Sequence, residues 1–167
     1  MNWTAATAAF AVSAAAGFFE AEKRRRRGST LFLLVLLLQR MELEIAFSRV
    51  PLPDMLSALL EEPPFRSFGF LAALVRALAA GGSLQSAWQA AAESVQDLLQ
   101  PWEQTHLLQL GSVLGTTGLD GQKKAMEETL AVLRPALERF RSQSKSGVTL
   151  CRVCGLCVGC VLFIMIL

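Results

Sequence analysis

The sequence predicts an all-α fold, a cytoplasmic helical bundle flanked by an N-terminal and a C-terminal transmembrane helix. Composition is the first reason: 53% of residues are hydrophobic and only 18% are charged, against about 25% charged in a soluble domain. Mean hydropathy is +0.42. Distribution is the second, because the apolar surplus gathers at the two ends of the chain. Periodicity is the third: the centre repeats apolar residues at helical spacing, and no alternating strand pattern of useful length interrupts it.

A chain of 167 residues suits a single domain with a modest core. Its net charge of +2 gives no basis for a nucleic-acid partner. With no tyrosine and one histidine, few residues are left for acid–base or stacking chemistry.

The C-terminal segment is the clearer membrane span. Val148 to Leu167 is 20 residues with a single charge, Arg152. Twenty helical residues rise about 30 Å, the thickness of a bilayer core. Arg152 lies about one turn inside, where its stem can reach the headgroups. The N-terminal segment, Trp3 to Phe19, is uncharged but Ala-rich and 17 residues long, near the lower limit for a span. A signal peptide is the rival reading, since Ala14-Ala15-Ala16 resembles a cleavage site. Signal peptides carry positive charge before the apolar run. Here it follows, as Lys23-Arg24-Arg25-Arg26-Arg27.

Arg139, Arg141 and Lys145 precede the second segment. Basic residues at span ends favour the cytoplasmic side. Both clusters border the same central segment, so that segment is expected in the cytoplasm. The expected units are residues 1–27 (anchor and basic flank), 28–146 (helical bundle) and 147–167 (second span). The Lys23–Arg27 cluster reads as an orientation signal. Anionic lipid or nucleic acid is the competing functional reading.

Within the centre, Leu31 to Leu38 is an unbroken apolar run of eight, too short to span, that continues as one long helix through Phe47. Pro51 and Pro53 end it and open a short helix through Glu62. After Pro63-Pro64, a helix from Phe65 to Ala80 is expected, stopped by Gly81-Gly82. Ser83 is placed as an N-cap for a helix whose apolar face is Leu84, Ala87, Trp88, Ala91, Val95, Leu98 and Leu99. Pro101 starts the next helix, with Glu103 in its first turn. Gly111 and Gly115 each cost about 1 kcal/mol inside a helix, which close approach of a neighbour would offset. Asp120 is positioned to cap a last helix with an apolar seam of Met126, Leu130, Leu133, Leu137 and Phe140, kinked at Pro135.

In order along the chain stand Glu44-Ile45 … Pro51-Leu52, Gly82-Ser83 … Ala87-Trp88 and Leu110-Gly111-x-x-Leu114-Gly115 … Gln122. With an apolar segment at each terminus, this arrangement resembles the stage III sporulation protein AB family of endospore-forming bacteria. The family pattern has an Asp three residues after the second Leu-Gly, where this chain has Gly118, with Asp120 the nearest acid. The resemblance implies a non-enzymatic platform in the complex joining mother cell and forespore, with a domain similar to the F-type platform of type II secretion and type IV pilus machines. It implies as partners a cytoplasmic hexameric ATPase (the sporulation AA protein), other membrane components of the channel and the lipid bilayer. It places the chain in the mother-cell membrane around the forespore and leaves a homo-oligomer open.

Cys151, Cys154, Cys157 and Cys160 form C-x2-C-x2-C-x2-C, close to the spacing of cluster-binding loops. Ligation needs an irregular loop, and lipid-exposed irregular backbone is not tolerated within a span. Steps of three on a helix also spread the thiols instead of converging them. The favoured reading is packing of small apolar residues beside the small-xxx-small pair Gly155 and Gly159. A membrane redox protein and a generic tethered adaptor remain the competing function classes. His106 stands alone, Glu42 and Glu44 diverge on a helix, and Gly81-Gly82 lacks the Lys-Ser/Thr of a phosphate loop. Neither an enzyme nor a bound cofactor is expected.

Overall fold

A computed structural model describes the backbone of residues 3–47 and 50–166, and the side chains of residues 22–45 and 50–142. Among the described residues six α-helices follow one another, α1 Trp3–Phe47, α2 Leu52–Glu61, α3 Gly69–Ala79, α4 Leu84–Ser94, α5 Pro101–Val113 and α6 Leu119–Ile166, with a 3-10 turn at Gln96–Leu98. Among the described residues there is no strand. No helix there is long and apolar enough to cross a membrane. The side chains of the two expected spans, 3–19 and 148–167, lie outside the described ones.

The apolar run on α1 supplies one wall of the core. Leu31, Leu34, Leu37, Leu38 and Met41 are fully buried, while Phe32 is 43% exposed. Burying each such aliphatic side chain stabilises the fold by about 1.5–3 kcal/mol. α6 packs along both α1 and α5, α4 lies between α3 and α5, and α2 closes on α3. The seam expected on α6 is real: Met126, Leu130, Leu133 and Leu137 are buried and Phe140 packs against the same core.

The turns follow from local chemistry. Pro51 and Pro53 fix φ at the start of α2, and Asp54 places negative charge in its first turn. Glu62 is extended (φ −67°, ψ 139°), as a residue before proline must be. α3 ends in a Schellman motif: Gly81 N–H donates to Leu78 O and Gly82 N–H to Ala77 O, with Gly81 at φ +86°. Ser83 Oγ then accepts from Ser86 N–H at 3.2 Å and caps α4.

Three boundaries differ from expectation. Phe65 to Ser67 forms a turn, and α3 starts at Gly69 after an extended Phe68. A single helix would point Phe70 away from Phe65 and Phe68, since two residues advance 200°. The break lets all three rings be buried. α4 stops at Ser94, whose hydroxyl donates to Ala91 O at 2.6 Å and competes with the helical pattern. Leu98 thereby falls in the 3-10 turn and is only half-buried. Asp120 lies inside the first turn of α6 and does not cap it; the residue before α6 is Gly118.

Candidate functional site

The motif residues converge where α4, α5 and α6 meet. Trp88 lies in the core with its ring against the bare backbone of Gly111, so closely that a Cβ at Gly111 would overlap the indole. The indole N–H donates to Leu107 O at 2.8 Å. The Phe70 ring meets Trp88 edge-on at 5.2 Å. Gly111 thus serves the close approach expected of it.

Gly115 has another role. It ends α5 in a type II turn, with Leu114 at φ −61°, ψ 126°, Gly115 at φ +76° and Thr116 N–H donating to Val113 O. Gln85 of α4 donates to Leu114 O at 3.0 Å, tying the turn to the next helix. Leu84 and Leu52 approach the Gly115 Cα, which brings the Pro51-Leu52 element to the same corner. Gln122, nearly buried, donates to Thr117 O at 2.8 Å and fixes the start of α6. Glu44 is half-buried on α1, apart from this junction in the chain.

The opposite end of the bundle carries charge. Arg27 Nη2 lies 2.9 Å from Glu103 Oε1, with the Glu103 side chain fully buried and that of Arg27 22% exposed. Glu103 Oε2 accepts from Gln100 N–H at 2.7 Å, so both carboxylate oxygens are engaged. Arg27, read from sequence as part of an orientation signal, is built into the bundle. The ion pair crosses the boundary expected between residues 27 and 28. Lys23, Arg24, Arg25 and Arg26 stay exposed. The hydrogen bond from Arg26 holds the Glu22 carboxyl below its usual range. The resulting gain in stability is present above the ordinary carboxylate pKa and is lost as pH falls from there through the depressed value; solvent screening keeps it small.

On the facing helix, the Phe140 ring covers Gly28, where a Cβ would overlap it. The Arg141 guanidinium sits 5.4 Å over the Phe32 ring. α1 enters the bundle at this end and α6 leaves it there, so both basic clusters share one end. Among the described residues no group of three His, Cys, Asp or Glu side chains could hold a metal. Cys151, Cys154, Cys157, Cys160, Arg152, Gly155 and Gly159 lie outside those with described side chains.

The chain matches the family model of stage III sporulation protein AB over residues 2–167. It belongs to the stage III sporulation protein AB family. No curated relative and no solved structure matches it. Membership gives the protein a role in sporulation. Trp88, Gly111, Gly115 and Gln122, on which the sequence resemblance rests, act through packing or turn geometry. Gly118, where the resemblance implies an Asp, has open space around its Cα and occupies the N-cap position of α6. An Asp there would cap the helix, which Gly does only a few tenths of a kcal/mol less well, by about that margin. Reading the sequence missed the Arg27–Glu103 pair and the Gly28–Phe140 contact. Glu103 carried a signal, the Gln-Pro-x-Glu start of a helix, but nothing local named Arg27 as its partner.

Proposed function

We propose that this sporulation protein is a non-enzymatic, membrane-tethered platform that docks a cytoplasmic secretion-type ATPase in the channel complex between mother cell and forespore. The bundle faces the cytoplasm, and residues 3–19 and 148–167 enter the mother-cell membrane around the forespore. One observation carries the reading: contact of Gly28 with Phe140 brings the Lys23–Arg27 and Arg139–Arg141 clusters to one end. Basic residues at that end suit the cytoplasmic rim of a bilayer. The far end, where α1 stops and α6 starts, is turned toward the cytoplasm and offers half-exposed Leu43 and Val50 and exposed Leu119.

The test is a titration of residues 22–146, a fragment that keeps Arg27, against the sporulation AA ATPase of the same organism. Circular dichroism first establishes that the fragment is helical. Saturable binding that charge reversal at Asp54 or Lys123 weakens supports the platform. Absence of binding up to about 50 µM, equivalent to about −6 kcal/mol, by both the fragment and the full chain in lipid nanodiscs removes the ATPase from the proposal.

A further inference from the structure

Trp102 is 44% exposed, at the second position of α5. The next residue, Glu103, turns inward to the ion pair with Arg27. One step along a helix turns about 100°, so Trp102 stands on the flank of that pair, at the end of the bundle where the arginine run of α1 enters it. The 3-10 turn Gln96–Leu98 also packs against α1, and Gln100 N–H bonds the paired Glu103 carboxylate. Phe140 on Gly28 and Arg141 over Phe32 bring in α6.

Segments 22–32, 96–103 and 138–142 together hold seven basic residues (Lys23, Arg24, Arg25, Arg26, Arg27, Arg139 and Arg141) against four acids (Glu22, Asp97, Glu103 and Glu138). Arg27 is spent on Glu103 and Arg26 on Glu22, and the surplus at this end is positive. A half-exposed indole within a positive rim matches the headgroup layer of an anionic bilayer, where the ring enters the acyl boundary and the N–H stays wet.

The geometry points to a third membrane contact besides the two spans: the N-terminus of α5 rests on the anionic lipid surface through Trp102, framed by the basic residues of α1 and α6. This rests on the tethered reading above and deepens it. The contact holds the bundle against the bilayer at a fixed tilt, where two helices alone would leave it free to swing.

The chain contains three tryptophans, Trp3, Trp88 and Trp102, and Trp88 is 1% exposed, so it serves as an internal reference. Full-length protein is reconstituted in vesicles of equimolar phosphatidylcholine and phosphatidylglycerol, with lipid brominated high on its acyl chains as quencher. The Trp3→Phe variant is expected to lose fluorescence, and the Trp3→Phe/Trp102→Phe double variant to lose none. Flotation of the same samples reports whether the chain is in the membrane at all. A chain that floats while Trp3→Phe remains unquenched overturns the third contact and leaves the tether standing. A chain that does not float overturns both.

Discussion

Gly111 and Gly28 each take an aromatic ring against bare backbone, but the two rings differ in their freedom to move. Trp88 is locked by its bond to Leu107 and its contact with Phe70, whereas Phe140 is half-buried at the rim. Gly111→Ala should therefore destabilise by about 2–3 kcal/mol, the upper range for overpacking. Gly28→Ala should cost less than about 1 kcal/mol, because the ring can swing out and alanine favours the helix. Urea unfolding of the 22–146 fragment measures both. Arg27→Ala strands a buried carboxylate, and the loss should be about 3 kcal/mol, the lower end for a broken buried pair given the partial exposure of Arg27. Adding Glu103→Gln keeps an acceptor for Gln100 N–H and removes the charge. The double variant should recover more than half of that loss in the same assay. The Leu110-Gly111 pair and Trp88 are legible in the sequence as packing residues. Their partnership is not, since nothing in a linear pattern says which ring meets which glycine.

At the scale of elements, helix faces and caps are legible, and interruptions inside an apolar pattern are not. Ser83, Pro51 and Pro101 announce their helices by side-chain chemistry that acts within one turn. The break at Phe68 has no such marker, and its cause is tertiary: a straight helix could not bury Phe65, Phe68 and Phe70 together. The break at Val95 has only the weak local signal of Ser94, whose hydroxyl competes for Ala91 O. The second Leu-Gly looks like a helical pair and is a turn, with Gly115 at φ +76°. Gly115→Ala forces a Cβ into the left-handed region and toward a Leu84 methyl at 3.2 Å. It should cost about 1–2 kcal/mol. Gly118→Asp should do the opposite, raising stability by about 0.5 kcal/mol through capping. Thermal midpoints of these two variants moving in opposite directions would establish the turn and the cap separately.

For the whole molecule, the long helices α1 and α6 pack together, and the contact of Gly28 with Phe140 puts the entry of α1 into the bundle beside the exit of α6. Charge asymmetry in the sequence predicts that the centre of the chain lies on one side of a membrane, which is the arrangement proposed above. The family resemblance, now matched over residues 2–167, supplies the sporulation setting. Sequence could not give the neighbour of α1: contact between the first and last helices closes a loop of over 100 residues, which no local pattern encodes. In the proposed arrangement the bundle is held at one end by both its termini, with its body in the cytoplasm. Ser112 on exposed α5 surface tests it most directly. With Cys151, Cys154, Cys157 and Cys160 replaced by alanine, Ser112→Cys provides a single thiol for a membrane-impermeant maleimide. The protein is expected to fractionate with membranes and to be labelled only after cells are permeabilised. Labelling in intact cells, or recovery in the soluble fraction, would contradict it.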